Sequence, residues 1–111
     1  TSGCLVLGRN RHALATLGKL FAGNKIEKTY WAVVEGTPPQ AEGIIDLPLG
    51  KQSQHKARWR MKVDEAEGQP AVTHYRILGQ KDGRAWLEMK PQTGRTHQLR
   101  VHCSAIGCPI V

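Results

Sequence analysis

The sequence is poor in three things, and each shortage excludes something. Aromatics are few, with one Phe, two Tyr and three Trp in 111 residues. Few flat rings are therefore available, whether for packing or for stacking. Cysteines number three, an odd count without a Cys-x-x-Cys pair. That argues against a disulfide scaffold and for a reducing, cytoplasmic setting. No stretch approaches eighteen consecutive apolar residues, and no charged segment leads into a signal-like apolar run, so membrane insertion and secretion are not expected. Carboxylates are also scarce. Nine Asp and Glu stand against sixteen Lys and Arg, for a net charge of +7. Such an excess creates a field that draws phosphate polymers or anionic membrane surfaces, whatever the fold.

The scarce acids are also badly placed for catalysis. Asp46 lies beside a proline turn, Asp64, Glu65 and Glu67 share a polar loop, and Asp82 is in a turn. None sits where a nucleophile or general base is expected. His97, His102, Cys103 and Cys108 are near one another but lack the paired spacings of a zinc site. No metal is expected. A Cys–His nucleophile lacks any orienting carboxylate or oxyanion donor nearby. Cys4 and Cys103 read as small core residues.

At this length one domain with a modest core is expected. The chain opens on Thr1-Ser2-Gly3 and stops inside the apolar Pro109-Ile110-Val111. This suggests a piece of a longer protein, since domain ends usually fray into polar residues. Cys4–Leu7 reads as a buried strand. A helix follows, with Asn10 as N-cap, Ala13, Leu14, Leu17, Leu20 and Phe21 at helical spacing, and Gly23-Asn24 as a left-handed stop. Its Arg9, Arg11, His12 and Lys19 should face water.

Strands are expected at Lys28–Glu35 ("KTYWAVVE"), in "EGIIDLPLG" closed by Pro48 and Gly50, at His55–Val63, in "AVTHYRILG" and in "GRAWLEMK". The turn Gln80-Lys81-Asp82-Gly83 joins the last two. In "HKARWRMKV", Ala57, Trp59, Met61 and Val63 alternate with Lys56, Arg58, Arg60 and Lys62, predicting a half-buried strand with a cationic face. Trp31 and Trp59 are expected in the core, and Tyr30, one residue out of phase with Trp31, on the opposite face. "TGRTHQLRVHCSAIG" fits both a strand and a helix. Thr96 as N-cap and Gly107 as stop favour the helix, with Leu99 inward and His97, Arg100 and Ser104 on a more polar face. The fold class is α+β, with a mixed, largely antiparallel sheet and a few packed helices.

Cations on regular elements, with Tyr30, Trp31 and Trp59 as flat rings, suit RNA binding. The plainer alternatives are core tryptophans and a solvated cationic strand face.

Taken in order, "TSGCLVL", "KTYWAVVEG", "EGIIDLPL", "PAVTHYRIL" and above all "KPQTGRTHQLRVHCSAIGCPIV" resemble the RluA-type RNA pseudouridine synthases over essentially the whole chain. That family isomerises uridine in structured RNA without metal or cofactor. The resemblance implies that Tyr30 stacks on the target base and is a candidate for moving a proton. It implies that Arg100 pairs with the catalytic aspartate. It places Arg95, Thr96 and His97, with Lys28 and Gln98, along the RNA cleft. Physically, a flipped base needs an aromatic face to replace lost stacking, and a carboxylate nucleophile needs an organising guanidinium.

The family's aspartate stands in an "H-R-L-D" motif just before "TSG", ahead of Thr1, and the family continues past "GCPIV". Residues 1–111 are thus expected to be the central part of a catalytic domain, truncated at both ends and inactive alone. The expected parent is a monomeric cytoplasmic enzyme acting on rRNA ahead of tRNA. The alternatives are a non-catalytic RNA-binding module of the same fold and a generic basic structural module. Without its aspartate, Arg100 should be solvent-exposed, bound to an anion, or paired with another carboxylate, because burial without a partner costs roughly 3–5 kcal/mol. An uncovered sheet edge is also expected, available for pairing with a second copy.

Overall fold

The computed structural model describes residues 3–23, 25–55 and 58–111, leaving aside the side chains of 52–60. The described elements run α1 (Arg11–Ala22), β1 (Tyr30–Glu35), β2 (Glu42–Asp46), β3 (Leu49–His55), β4 (Arg58–Val63), β5 (Val72–Lys81), β6 (Arg84–Pro91) and α2 (Gln98–Ala105). β1, β6, β5 and β2 form one antiparallel sheet in that order. β3 and β4 form a separate hairpin, tied back by the bridge between Leu49 and Gln69. The class is α+β, as the alternation of short strands and two helices implied.

Sequence chemistry accounts for the central hairpin. Asp82 (φ 53°) and Gly83 (φ 75°) form a two-residue turn between Lys81 and Arg84. Both residues adopt the left-handed conformation that a type I′ turn requires. Leu78 is an extra residue in β5, where the register shifts between Ile77 and Gly79. One face of the sheet carries Val34, Ile45, Tyr75, Ala85, Leu87 and Met89, all buried, and α2 covers it with Cys103 and the partly buried Leu99. Gly43 lies under the Tyr75 side chain, where a Cβ would come within 2.9 Å of its ring edge and hydroxyl, so a larger residue would force that side chain to shift. α2 ends in a Schellman motif: Gly107 N donates to Ser104 O, Cys108 N donates to Cys103 O, and Gly107 has φ 80°.

The opposite face is open, with Trp31, Val33, Ile44 and Trp86 exposed. Trp31, expected in the core, is 68% exposed, because Ala32 and Val34 take the inward phase of β1. Tyr30 shares that inward phase but stands at the first position of the strand, which leaves it 46% exposed. Trp31 instead meets Trp86 edge to face, with ring centroids 5.2 Å apart.

Several local expectations are corrected. Cys4–Leu7 is neither strand nor core: Leu5 is 85% exposed and Cys4 is exposed too. An apolar run becomes a strand only where a ladder satisfies its backbone, and this one pairs with no described strand. Asn10 does cap α1, its Oδ1 accepting from Ala13 N, but the helix buries no residue, and Leu14 and Phe21 are exposed. Gly23 ends it at φ −86° rather than in the left-handed region, and Asn24 lies outside the described residues. β1 starts at Tyr30, two residues later than expected. Gly50 lies within β3 rather than closing a strand. β3 escapes a hydropathy reading because "LGKQSQH" has no apolar side chain beyond the buried Leu49 and shows no alternation. Lys56 and Ala57, with the side chains of Arg58, Trp59 and Arg60, lie outside what is described; over the described remainder Met61 and Val63 are half-buried and Lys62 is exposed, in the expected alternation, while His55 belongs to β3. Thr96 is not the cap of α2. His97 holds that position at φ 53°, with no side-chain cap bond to the first turn.

The outer edge of β1 is met by the tail, through the bridge between Val34 and Ile110. β2 has no strand neighbour on its other side among the described residues.

Candidate functional site

The segment Gln92–His97 leaves β6 and turns into α2. Its conformation is set by contacts with β5 rather than by its own hydrogen bonds alone. Gln92 N donates to Val72 O, Val72 N donates to Thr93 Oγ1 (3.1 Å), and Arg95 Nε donates to Pro70 O (2.8 Å). Gln98 N closes a turn on Arg95 O. At one side of this loop a hollow of about 100 Å³ is lined by Lys28, Lys90 and Thr93 among others. A Cβ on Gly94 would lie 3.7 Å from Lys28 Nζ. At the other side a hollow of about 470 Å³ is lined by Lys51, Gly94, Arg95 and Thr96, with Glu67 as its acid. The fold thus brings Lys28 from the lead into β1, and Lys51 from β3, to one loop that carries Arg95, Thr96 and His97. A concave surface flanked by cations on three separate elements suits a phosphate chain.

Arg100 is exposed on α2 and makes no hydrogen bond or ion pair among the described residues. Of the outcomes expected for it, the structure shows the solvent-exposed one. Two ion pairs occur elsewhere on the described surface, Arg76–Glu88 and Arg84–Glu35. No described hydrogen bond joins Tyr30 to Arg100; they stand on β1 and α2, both exposed.

Gln98 is placed differently from the expectation. It is 4% exposed and its amide is engaged within the protein, so it holds the loop instead of presenting a surface to RNA. Thr73 and His102 are two further residues of this network that sequence reasoning missed. Thr73 Oγ1 lies 2.8 Å from His102 Nδ1, and His102 Nε2 lies 2.9 Å from Leu47 O. The available signal was the spacing of Gln98 and His102, four residues apart on a helix whose neighbours Leu99 and Cys103 face inward.

Burial lowers the pKa of His102 from its ordinary 6.5, against the opposing pull of the Leu47 carbonyl and the Asp46 charge. The unfolded chain therefore binds a proton at this site more readily than the folded one. Stability from neutral His102 is fully present above pH 6.5 and falls as pH drops below that value toward the lower folded pKa. Urea midpoints measured from about pH 8 to about pH 5.5 should fall on the acid side. A His102→Gln variant should lose most of that dependence, and an unchanged slope would contradict the assignment.

Burial, with a smaller contribution from Cys108, pushes the Cys103 thiol up to about 11. It is a packing group against Met89 Sδ, not a nucleophile. Among the described residues no three His, Cys, Asp or Glu side chains come together in a possible metal site, and no helix is long and apolar enough to cross a membrane.

Comparison with known proteins matches this arrangement to one group. The family described as RNA pseudouridylate synthase matches residues 1–105. An uncharacterised RNA pseudouridine synthase of Zymomonas mobilis is 49% identical over the whole chain, which covers 51% of that protein. The ribosomal large subunit pseudouridine synthase D of the same organism is 39% identical over 96% of the chain, which covers 33% of it. Among solved structures, human RNA pseudouridylate synthase domain containing 1 superposes with a TM-score of 0.83 at 31% identity. That match covers 93% of this chain and 45% of the human one. The chain thus spans about half the length, or less, of the relatives it matches. The match takes in β1, the central hairpin, the cation-flanked loop and α2 through Ala105, and the chain belongs to the RNA pseudouridylate synthase family, of the RluA type.

Proposed function

We propose that residues 1–111 form the central part of the catalytic domain of an enzyme that isomerises uridine to pseudouridine in structured RNA. The C1′–N1 bond breaks, the base turns, and C1′ bonds to C5. The C5 proton is lost and N1 regains one, so the reaction needs no oxidant or metal. One observation carries the reading: a guanidinium, Arg100, stands exposed and without a carboxylate at the start of a helix that follows a cation-flanked loop. In this reading it organises the catalytic aspartate that the family carries just before the "TSG" motif. Tyr30 offers a half-exposed ring to replace stacking lost by a flipped base. Lys28, Arg95, Thr96 and His97 hold the backbone of the RNA.

The resemblance to a ribosomal large subunit synthase favours rRNA over tRNA as substrate. The enzyme works in the cytoplasm as a monomer, without cofactor, metal or membrane. Residues 1–111 alone are inactive, and can associate through the uncovered edge of β2.

The test uses RNA labelled with tritium at uridine C5. The full-length protein should release tritium to water from cellular rRNA. The isolated 111-residue chain should bind RNA and release none. RNA binding by the full-length protein without release from any RNA would favour a non-catalytic RNA-binding module instead.

A further inference from the structure

Hydrogen-bond direction in the network beneath the loop follows from the chemistry of its ends. Leu47 contributes a carbonyl, which only accepts, so His102 Nε2 carries the proton (2.9 Å). In the neutral ring Nδ1 then accepts, and Thr73 Oγ1 must donate to it (2.8 Å). With its one proton committed, Thr73 Oγ1 receives the N–H of Gln98 Nε2 (3.0 Å), whose second proton goes to Val72 O (2.9 Å). The Gln98 amide therefore has one allowed orientation. Its Oε1 faces the loop, accepting from Thr93 Oγ1 (2.6 Å) and from Arg95 N (3.1 Å). Thr73 and His102 are fully buried and Gln98 nearly so. A wrong orientation of any one would leave a buried polar group unsatisfied.

The loop at the end of this chain needs such support. His97 has φ 53° without being glycine, a conformation that persists only where the surroundings over-determine it. No side chain caps the helix that follows.

We propose that Thr73, Gln98 and His102 are positioning residues for RNA: their one-way hydrogen-bond chain, from Leu47 O to Thr93 and Arg95, pre-orders the 93–97 loop that presents Arg95, Thr96 and His97. This rests on the synthase reading above. None of the three touches RNA; they act by removing the ordering cost that a loose loop would incur on binding.

The test compares Thr73→Val, Thr73→Ser and Thr93→Val in the full-length protein, using tritium release from rRNA. Thr73→Val keeps shape and loses the hydroxyl. Its KM for RNA should rise about tenfold while kcat at saturating RNA stays within about threefold. Thr73→Ser should restore KM. A role in global stability alone would reduce the active fraction and so lower kcat with KM unchanged, which would overturn the proposal. So would a KM within about twofold of wild type in both valine variants. If Thr73→Val does not fold, Thr93→Val, at the partly exposed end of the chain, carries the same expectation.

Amide hydrogen exchange without RNA separates this proposal from the reading it rests on. Exchange at Arg95 and Val72 should accelerate in Thr93→Val, with the β5–β6 ladder unchanged. Should the wild-type protein release no tritium, the synthase reading fails, while exchange and RNA affinity still decide the positioning role. Unchanged exchange and unchanged affinity would overturn it.

Discussion

Replacing Arg100 by alanine in the full-length protein lowers tritium release about a thousandfold, while RNA affinity changes by less than about threefold. The asymmetry follows from where Arg100 stands. It is one cation among several near the loop, so its loss removes at most one phosphate contact from a surface that also carries Lys28, Lys90, Lys51 and Arg95. In its proposed role as partner of a carboxylate nucleophile it stands alone on its helix, since Arg95, the other guanidinium of the 93–105 segment, lies in the loop. Arg100→Lys keeps the charge but not the planar fork that matches a carboxylate at two points, and should recover only part of the rate. Steady-state rates and filter-binding affinities on the same RNA measure both quantities. Equal losses in rate and affinity would make Arg100 a phosphate contact and remove it from the catalytic reading.

The second large effect concerns the sheet that positions everything else. Leu87 is 1% exposed at the centre of β6, paired across from Ala32 and Ile77. Leu87→Ala should cost roughly 2–5 kcal/mol, the loss of buried surface plus the cavity left behind. Its neighbour Trp86 points to the open face and is 42% exposed. Although larger, Trp86→Ala should cost only about 1 kcal/mol, mostly its edge contact with Trp31. Urea unfolding of the 111-residue chain tests the contrast. If the tryptophan proves as costly as the leucine, the sheet is not one-sided in solution.

How much of this was readable beforehand depends on the kind of signal. Asn10 as a cap, the Asp82-Gly83 turn and Gly107 as the stop of α2 were legible because each depends on the chemistry of one or two residues. The polar strand β3 was not, since a strand recognised only through pairing leaves no trace in hydropathy. Trp31 was misplaced because an aromatic residue beside β-branched ones looks buried. The phase of a strand is decided by which alternating set meets the core, and here small Ala32 and Val34 do. Thr96 suits a cap by its side-chain chemistry, but the backbone puts His97 at that position in a left-handed turn that side-chain preference does not foresee.

The site divides along the same line. Family resemblance in "KTYWA" and "TGRTHQLRVH" singled out Tyr30, Arg95 and Arg100 without any coordinates, because these residues are distinctive in type and fixed in spacing. The positioning role of Gln98 was beyond the sequence. A glutamine in a basic, polar stretch reads as a surface contact until its helix is seen to turn it toward Thr73, twenty-five residues away on β5. What the sequence determined alone was the family, the α+β class and the cationic character of the loop, all properties of residue type and local order. Only the tertiary structure decided which polar residues face RNA and which are buried to hold the loop, because burial is set by packing between segments distant in the chain.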